Sequence, residues 1–149
     1  MIFVKFDCFL KSVDYSVAWV YNTGMDKNRI LQFIKGLAGV RADAPFARDA
    51  DTLVFRHVGS EKWFGVYMAV PKRYFGEESG SEFCLALKCA PPLAEMLMQT
   101  YRCVYPAWHM NKRHWITVRL NGDVPSQEIE NLIVLSYDLT LKKPSVKKL

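Results

Sequence analysis

The chain has no cysteine pair at CxxC spacing and no run of the roughly 20 apolar residues that a membrane helix needs. In the first 24 residues the longest unbroken apolar run is Val17 to Tyr21, and Lys5, Asp7, Lys11 and Asp14 interrupt the rest. A signal peptide puts its charges before the apolar run rather than through it. The expectations are no leader, no membrane and a reducing, cytoplasmic setting. Cysteines at 8, 84, 89 and 103 then read as small buried hydrophobes. Cys84 and Cys89, with His109 and His114 downstream, fit no common zinc spacing. The sequence also lacks a phosphate-cradling glycine loop, a nucleophile elbow and a metal-binding helix motif. Asp49 and Asp51 are close together, but no partner base is evident. The expectation is a non-enzyme without metal or small-molecule cofactor.

A second scarcity is local. Between Cys84 and Gly122 there are five basic residues and a single acid, Glu95. The stretch Tyr105 to Gly122, "YPAWHMNKRHWITVRLNG", has no carboxylate at all. It carries Lys112, Arg113 and Arg119 with two histidines and two tryptophans. The net charge of the 149 residues is +5, which permits attraction to polyanions without requiring it. The excess lies in this stretch and in the last residues, where Lys142, Lys143, Lys147 and Lys148 stand.

The length suits one domain with a sizeable core. Asp26 is a sound N-cap, Ile30, Phe33, Ile34 and Leu37 follow at helical spacing, and Gly39 can end the helix. "TLVFRHV" (52–58) and "KWFGVYMAV" (62–70) read as a hairpin around Gly59-Ser60, and "EFCLALKC" (82–89) as a third strand. Pro91 and Pro92 open a helix whose expected buried stripe is Leu93, Met96, Leu97 and Tyr101. An extended piece at 104–109 turns at Asn111-Lys112 into "HWITVRL", and Asn121-Gly122 marks the next turn. Pro125 opens a last helix with Ile129, Leu132, Ile133 and Tyr137 inward. The order α-β-β-β-α-β-β-α predicts a two-layer α+β domain, with helices on an antiparallel sheet of about five strands. Residues 25–143 form the expected domain, 1–24 an extension and 144–149 a basic tail.

The blocks "FCLALKCAPPLAEML", "YPAWHMNKRHWITVRLNGDVP" and "LIVLSYDL" resemble the MmcQ/YjbR family. The resemblance runs from about Met25 to Lys143. It implies a fold similar to bacterial secretion chaperones and the frataxin-like group. It also implies the family's usual description as predicted double-wing DNA-binding proteins.

Two function classes follow. In the first, the turn holding His109, Asn111, Lys112, Arg113 and His114 is a wing. Lys112, Arg113, Arg119 and Arg102 would meet phosphates, with Lys88 facing the same groove. Trp108 and Trp115 could stack on bases if exposed, or anchor the hairpin to the helix layer if buried. The expectation for Trp115, Trp63 and Phe64 is core. In the second class the turn satisfies its own backbone, the cations are solvated, and the domain is a protein-interaction or chaperone-like module using a sheet face or helix groove. Ser136-Tyr137 reads as structural, through a hydroxyl bond.

Overall fold

The computed structural model describes residues 24–142. The expectations for the N-terminal extension and for the basic tail fall almost wholly outside these residues. The elements are α1 (Lys27–Lys35), β1 (Val40–Asp43), β2 (Leu53–His57), β3 (Trp63–Pro71), a 3-10 turn (Lys72–Phe75), β4 (Ser81–Lys88), α2 (Pro91–Thr100), β5 (Val104–Pro106), β6 (Trp115–Arg119) and α3 (Ser126–Thr140). The strands form one antiparallel sheet in the order β1-β2-β3-β4-β6-β5.

The architecture is the expected α+β one, with six strands rather than about five. The added strand is β1, "VRAD", which has one large apolar residue and no alternation to reveal it. It exists because β2 offers it an edge, with Val40 opposite His57 and Asp43 opposite Val54. α1 begins where expected, since the Asp26 carboxylate accepts from Arg29 N–H at 2.8 Å. It ends at Lys35, before Gly39. Leu37 still packs against the core from the turn beyond.

One face of the sheet meets the helices. Ile30 and Ile34 of α1, Ala94 and Leu97 of α2, and Ile129, Leu132 and Ile133 of α3 share a core with Phe55, Tyr67, Leu85, Leu87, Ile116 and Val118. Burial of each large side chain there stabilises the fold by roughly 1.5–3 kcal/mol. Met96, expected in the α2 stripe, is instead 56% exposed, and Ala94 holds the inward position. β4 is buried on both faces from Cys84 to Leu87, as befits a central strand. Burial pushes the Cys84 thiol up to about 12. The Asn121-Gly122 turn depends on its glycine, because a Cβ at 122 would lie 1.8 Å from Cys103 Sγ.

A β-bulge breaks the regular alternation. Val54 pairs with Val66 and Phe55 with Gly65, but Arg56 then pairs with Trp63. The extra residue, Phe64, enters the helix-side core, while Trp63 joins the opposite face. Ser136, fully buried on α3, secures this break. Its hydroxyl donates to the Phe64 carbonyl at 2.5 Å and accepts from the Lys88 N–H at 2.8 Å. Tyr137 donates to the Ala38 carbonyl at 2.7 Å, tying α3 to the turn before β1. Both residues of the Ser-Tyr pair thus have the structural bonds expected of them.

His57 is buried at the end of β2. Its Nε2 lies 2.8 Å from the Thr140 hydroxyl, and its ring packs on Phe64 and Tyr137. Burial lowers its pKa, and the nearby Lys62 lowers it further, against an opposing contribution from Tyr137.

Ser136→Ala leaves a buried carbonyl and a part-buried amide without their partner. At about 1–3 kcal/mol for each such group, urea unfolding should show a loss of at least about 2 kcal/mol. The depressed His57 pKa makes the unfolded chain the better proton binder, so its contribution is complete above about pH 6.5 and fades as pH falls through the folded value. Urea midpoints should therefore drop between about pH 7 and 5 in the wild type, and drop less in His57→Gln.

Candidate functional site

The β5–β6 hairpin carries the acid-free stretch. Its tip is built by Asn111, whose side-chain carbonyl accepts from Arg113 N–H at 2.9 Å. The Asn111 backbone carbonyl accepts from Trp115 N–H at 2.9 Å and His114 N–H at 3.3 Å. Asn111 therefore shapes the turn from within. His109 occupies the left-handed region, with φ of 57°, and its exposed ring packs edge-on to Trp108 at 4.4 Å. Lys112 donates to the Ala107 carbonyl at 2.9 Å and stands 5.7 Å from the Tyr74 ring centre. Its ammonium buttresses the loop, while the residue as a whole is exposed. Arg113 and His114 are exposed at the tip.

Lys88 joins this group. It ends β4 opposite Trp115, and the next amide, Cys89 N–H, donates to the His114 carbonyl at 2.8 Å. Lys88, Lys112 and Arg113 take part in no ion pair among the described residues.

Arg119 and Arg102 lie elsewhere. Arg119 is four residues along β6 from Trp115, a distance of about 13 Å at strand rise. Its guanidinium pairs with Glu77 at 2.6 Å and with Glu82, and it sits 4.4 Å from the Phe75 ring centre. Burial alone would lower its pKa, but the bonds to Glu82 and Glu77 outweigh it and the value is raised. Its charge is compensated locally. Arg102 is beside it at the hairpin base, where the Asp123 carboxylate accepts from Arg102 N–H at 2.8 Å and Cys103 N–H at 3.0 Å. The eight candidate residues therefore separate into a tip group, with Lys88, and a base pair.

The three described tryptophans, Trp63, Trp108 and Trp115, do not meet the helix layer. Trp115 and Trp63 are half-buried on the opposite face, where they pack with Met68 and Met110 against Val54, Val66 and Ala86. Phe64 alone of the three expected core aromatics reaches the main core. Trp108 also turns away from the helices, against Tyr74 at 4.9 Å, with its N–H backbone bonded to the Thr117 hydroxyl at 2.9 Å. Tyr74 donates to the Pro106 carbonyl at 2.7 Å and Phe75 packs on Tyr105 at 4.7 Å, so the 3-10 turn covers this part of the second face. No sequence motif marks Tyr74, Phe75 or Arg56. Their roles come from contacts across the sheet that no local pattern encodes. Among the described residues, no three His, Cys, Asp or Glu side chains gather as a metal site. No helix among them is long and apolar enough to cross a membrane.

Comparison with known proteins agrees with this architecture. A Bacillus subtilis protein, YyaQ, is 32% identical over 117 residues, covering 78% of this chain and 98% of its own. Escherichia coli YjbR is 45% identical over 53 residues, covering 36% of this chain and 45% of its own. A crystal structure from Pseudomonas syringae superposes with a TM-score of 0.73 at 34% identity, covering 78% of this chain and all of that one. A Deinococcus radiodurans crystal structure with a DUF419 domain gives 0.62 at 28% identity, covering 80% of this chain and 81% of its own. The YjbR family model matches residues 35–139, and the chain belongs to the YjbR family.

Proposed function

We propose that this chain is a non-enzymatic, cytoplasmic DNA-binding protein that contacts mainly the phosphate backbone through the tip of the β5–β6 hairpin. The observation that carries this reading is the grouping of Lys88, Lys112 and Arg113 at one end of the sheet, with no ion pair among the described residues. Cations held in that way can exchange condensed counterions for phosphates. Arg119, already bonded to two glutamates, contributes to the hairpin base instead. Arg102 stands beside it and is assigned no phosphate contact.

A second reading, a protein-interaction module, draws support from the apolar part of the second face around Trp63, Met68, Met110 and Trp115. The two differ in their response to salt. Phosphate binding weakens steeply as salt rises, and an apolar interface does not.

Titration of labelled duplexes of unrelated sequence should give similar dissociation constants, within about 10⁻⁴ to 10⁻⁶ M near physiological salt. Three phosphate contacts correspond to a slope of about −2.7 in log affinity against log salt. Replacing Lys88 and Arg113 together by alanine should shift that slope toward zero by about 1.8 and leave the circular dichroism spectrum intact. Arg119→Ala should leave the slope unchanged while destabilising the fold by about 1–3 kcal/mol, because Glu82 loses its charged partner. A double variant with the wild-type slope would show that these residues are not the contact.

A further inference from the structure

The same end of the sheet presents more than charge. Trp63 on β3 and Trp115 on β6 both lie on the second face, and β4 runs between those strands. The two strands are about 10 Å apart, two interstrand spacings. Lys88 closes β4 at this end, on the same face as Ala86 and opposite Trp115. Both tryptophans are half-buried and pack against the cluster of Val54, Val66 and Ala86. Arg56 and Phe46 frame Trp63, with the guanidinium carbon 5.7 Å from the ring centre and the Phe46 ring edge-on at 6.4 Å. Asp43 neutralises Arg56 at 3.0 Å, whereas Lys88, on the strand between those of the two tryptophans, takes part in no ion pair among the described residues. Met110 packs against the same apolar cluster from the hairpin side.

Two packed aromatic residues with a lysine on the strand between them match a chain that alternates flat π-faces with negative charges. A duplex hides its base faces in the stack, whereas a single strand offers them to a sheet. We propose that Trp63, Lys88 and Trp115 form a stacking platform for single-stranded DNA, a ligand class that deepens, and rests on, the DNA-binding reading of the adjoining hairpin tip. Bases stack on Trp115 and on Trp63, Lys88 takes the intervening phosphate, and Lys112 and Arg113 receive the backbone as it leaves the sheet. The platform is tolerant of sequence because every base has a π-face.

The test uses the full chain and fluorescence anisotropy with four labelled probes. These are a mixed-sequence single-stranded DNA, an abasic strand with the same number of phosphates, the corresponding duplex and the corresponding RNA. Stacking of one base strengthens binding by roughly tenfold. The intact strand should therefore bind at least about tenfold more tightly than the abasic strand. Trp115→Leu, which keeps an apolar side chain over the cluster, should remove most of that advantage and leave duplex affinity unchanged. Equal binding of intact and abasic strands by the wild type would overturn the platform whatever the variants do. So would duplex binding without single-strand binding, which would leave the hairpin reading standing. Binding of RNA alone would overturn the assignment to DNA. Failure of all four probes at low salt would overturn both readings and leave the face to a protein partner.

Discussion

The hydroxyl of Ser136 holds the sheet and the helix layer in their observed relation. It stands between the Phe64 carbonyl and the Lys88 amide, two backbone groups on neighbouring strands. By filling both bonds it makes the bulge in β3 tolerable, since neither group is left unpaired. The bulge in turn directs Phe64 inward, onto His57 and Tyr137, and Trp63 outward. Without that one-residue shift, simple alternation would put Phe64 on the second face and Trp63 among the helices. The same hydroxyl also fixes the backbone of Lys88. One contact therefore sets the core next to α3 and the composition of the face on the other side.

The cations of the acid-free stretch have unequal fates, although their residue types are alike. Arg119 folds over Phe75 and is bonded to Glu77 and Glu82, which lie on the 3-10 turn's far side and on β4. It ties β6 to β4 and to the segment after the 3-10 turn. Lys112 is intermediate, with one bond to its own loop. Lys88 and Arg113 have no ion pair among the described residues. A basic segment in sequence is thus only in part a basic surface. Lys88, Lys112 and Arg113, which take part in no ion pair among the described residues, lie where the hairpin tip meets the end of β4.

Much of the fold was legible in short-range signals. The Asp26 cap, the proline-led helices at 91 and 126, and the turns at 59–60 and 121–122 each act within a few residues. The stripe Ile129, Leu132, Ile133 and Tyr137 was readable for the same reason. β1 was not, because "VRAD" is a strand only through its pairing with β2. The outward turn of Trp63 was hidden by the bulge. Trp115 shows another limit: alternation sets it opposite Ile116, but only tertiary packing decides which of the two meets the helices. The tip residues of the candidate site were legible from charge pattern and turn chemistry. The compensation of Arg119 was not, since its partners are 42 and 37 residues away in the chain. Lys88 could be placed at a strand end from sequence, but its position beside two tryptophans needed the sheet order.

DNA binding, as proposed, is localised at the end of the sheet where the hairpin tip, Lys88 and the two tryptophans meet. The most direct measurement is two-dimensional amide NMR of the labelled chain during titration with a short DNA strand. Shifts should concentrate at residues 111–115, Lys88 and the Trp63 and Trp115 indoles, with Arg102 and Arg119 at the hairpin base left in place. Shifts centred on Arg102 and Arg119, or spread evenly over the α2 and α3 surfaces, would contradict it.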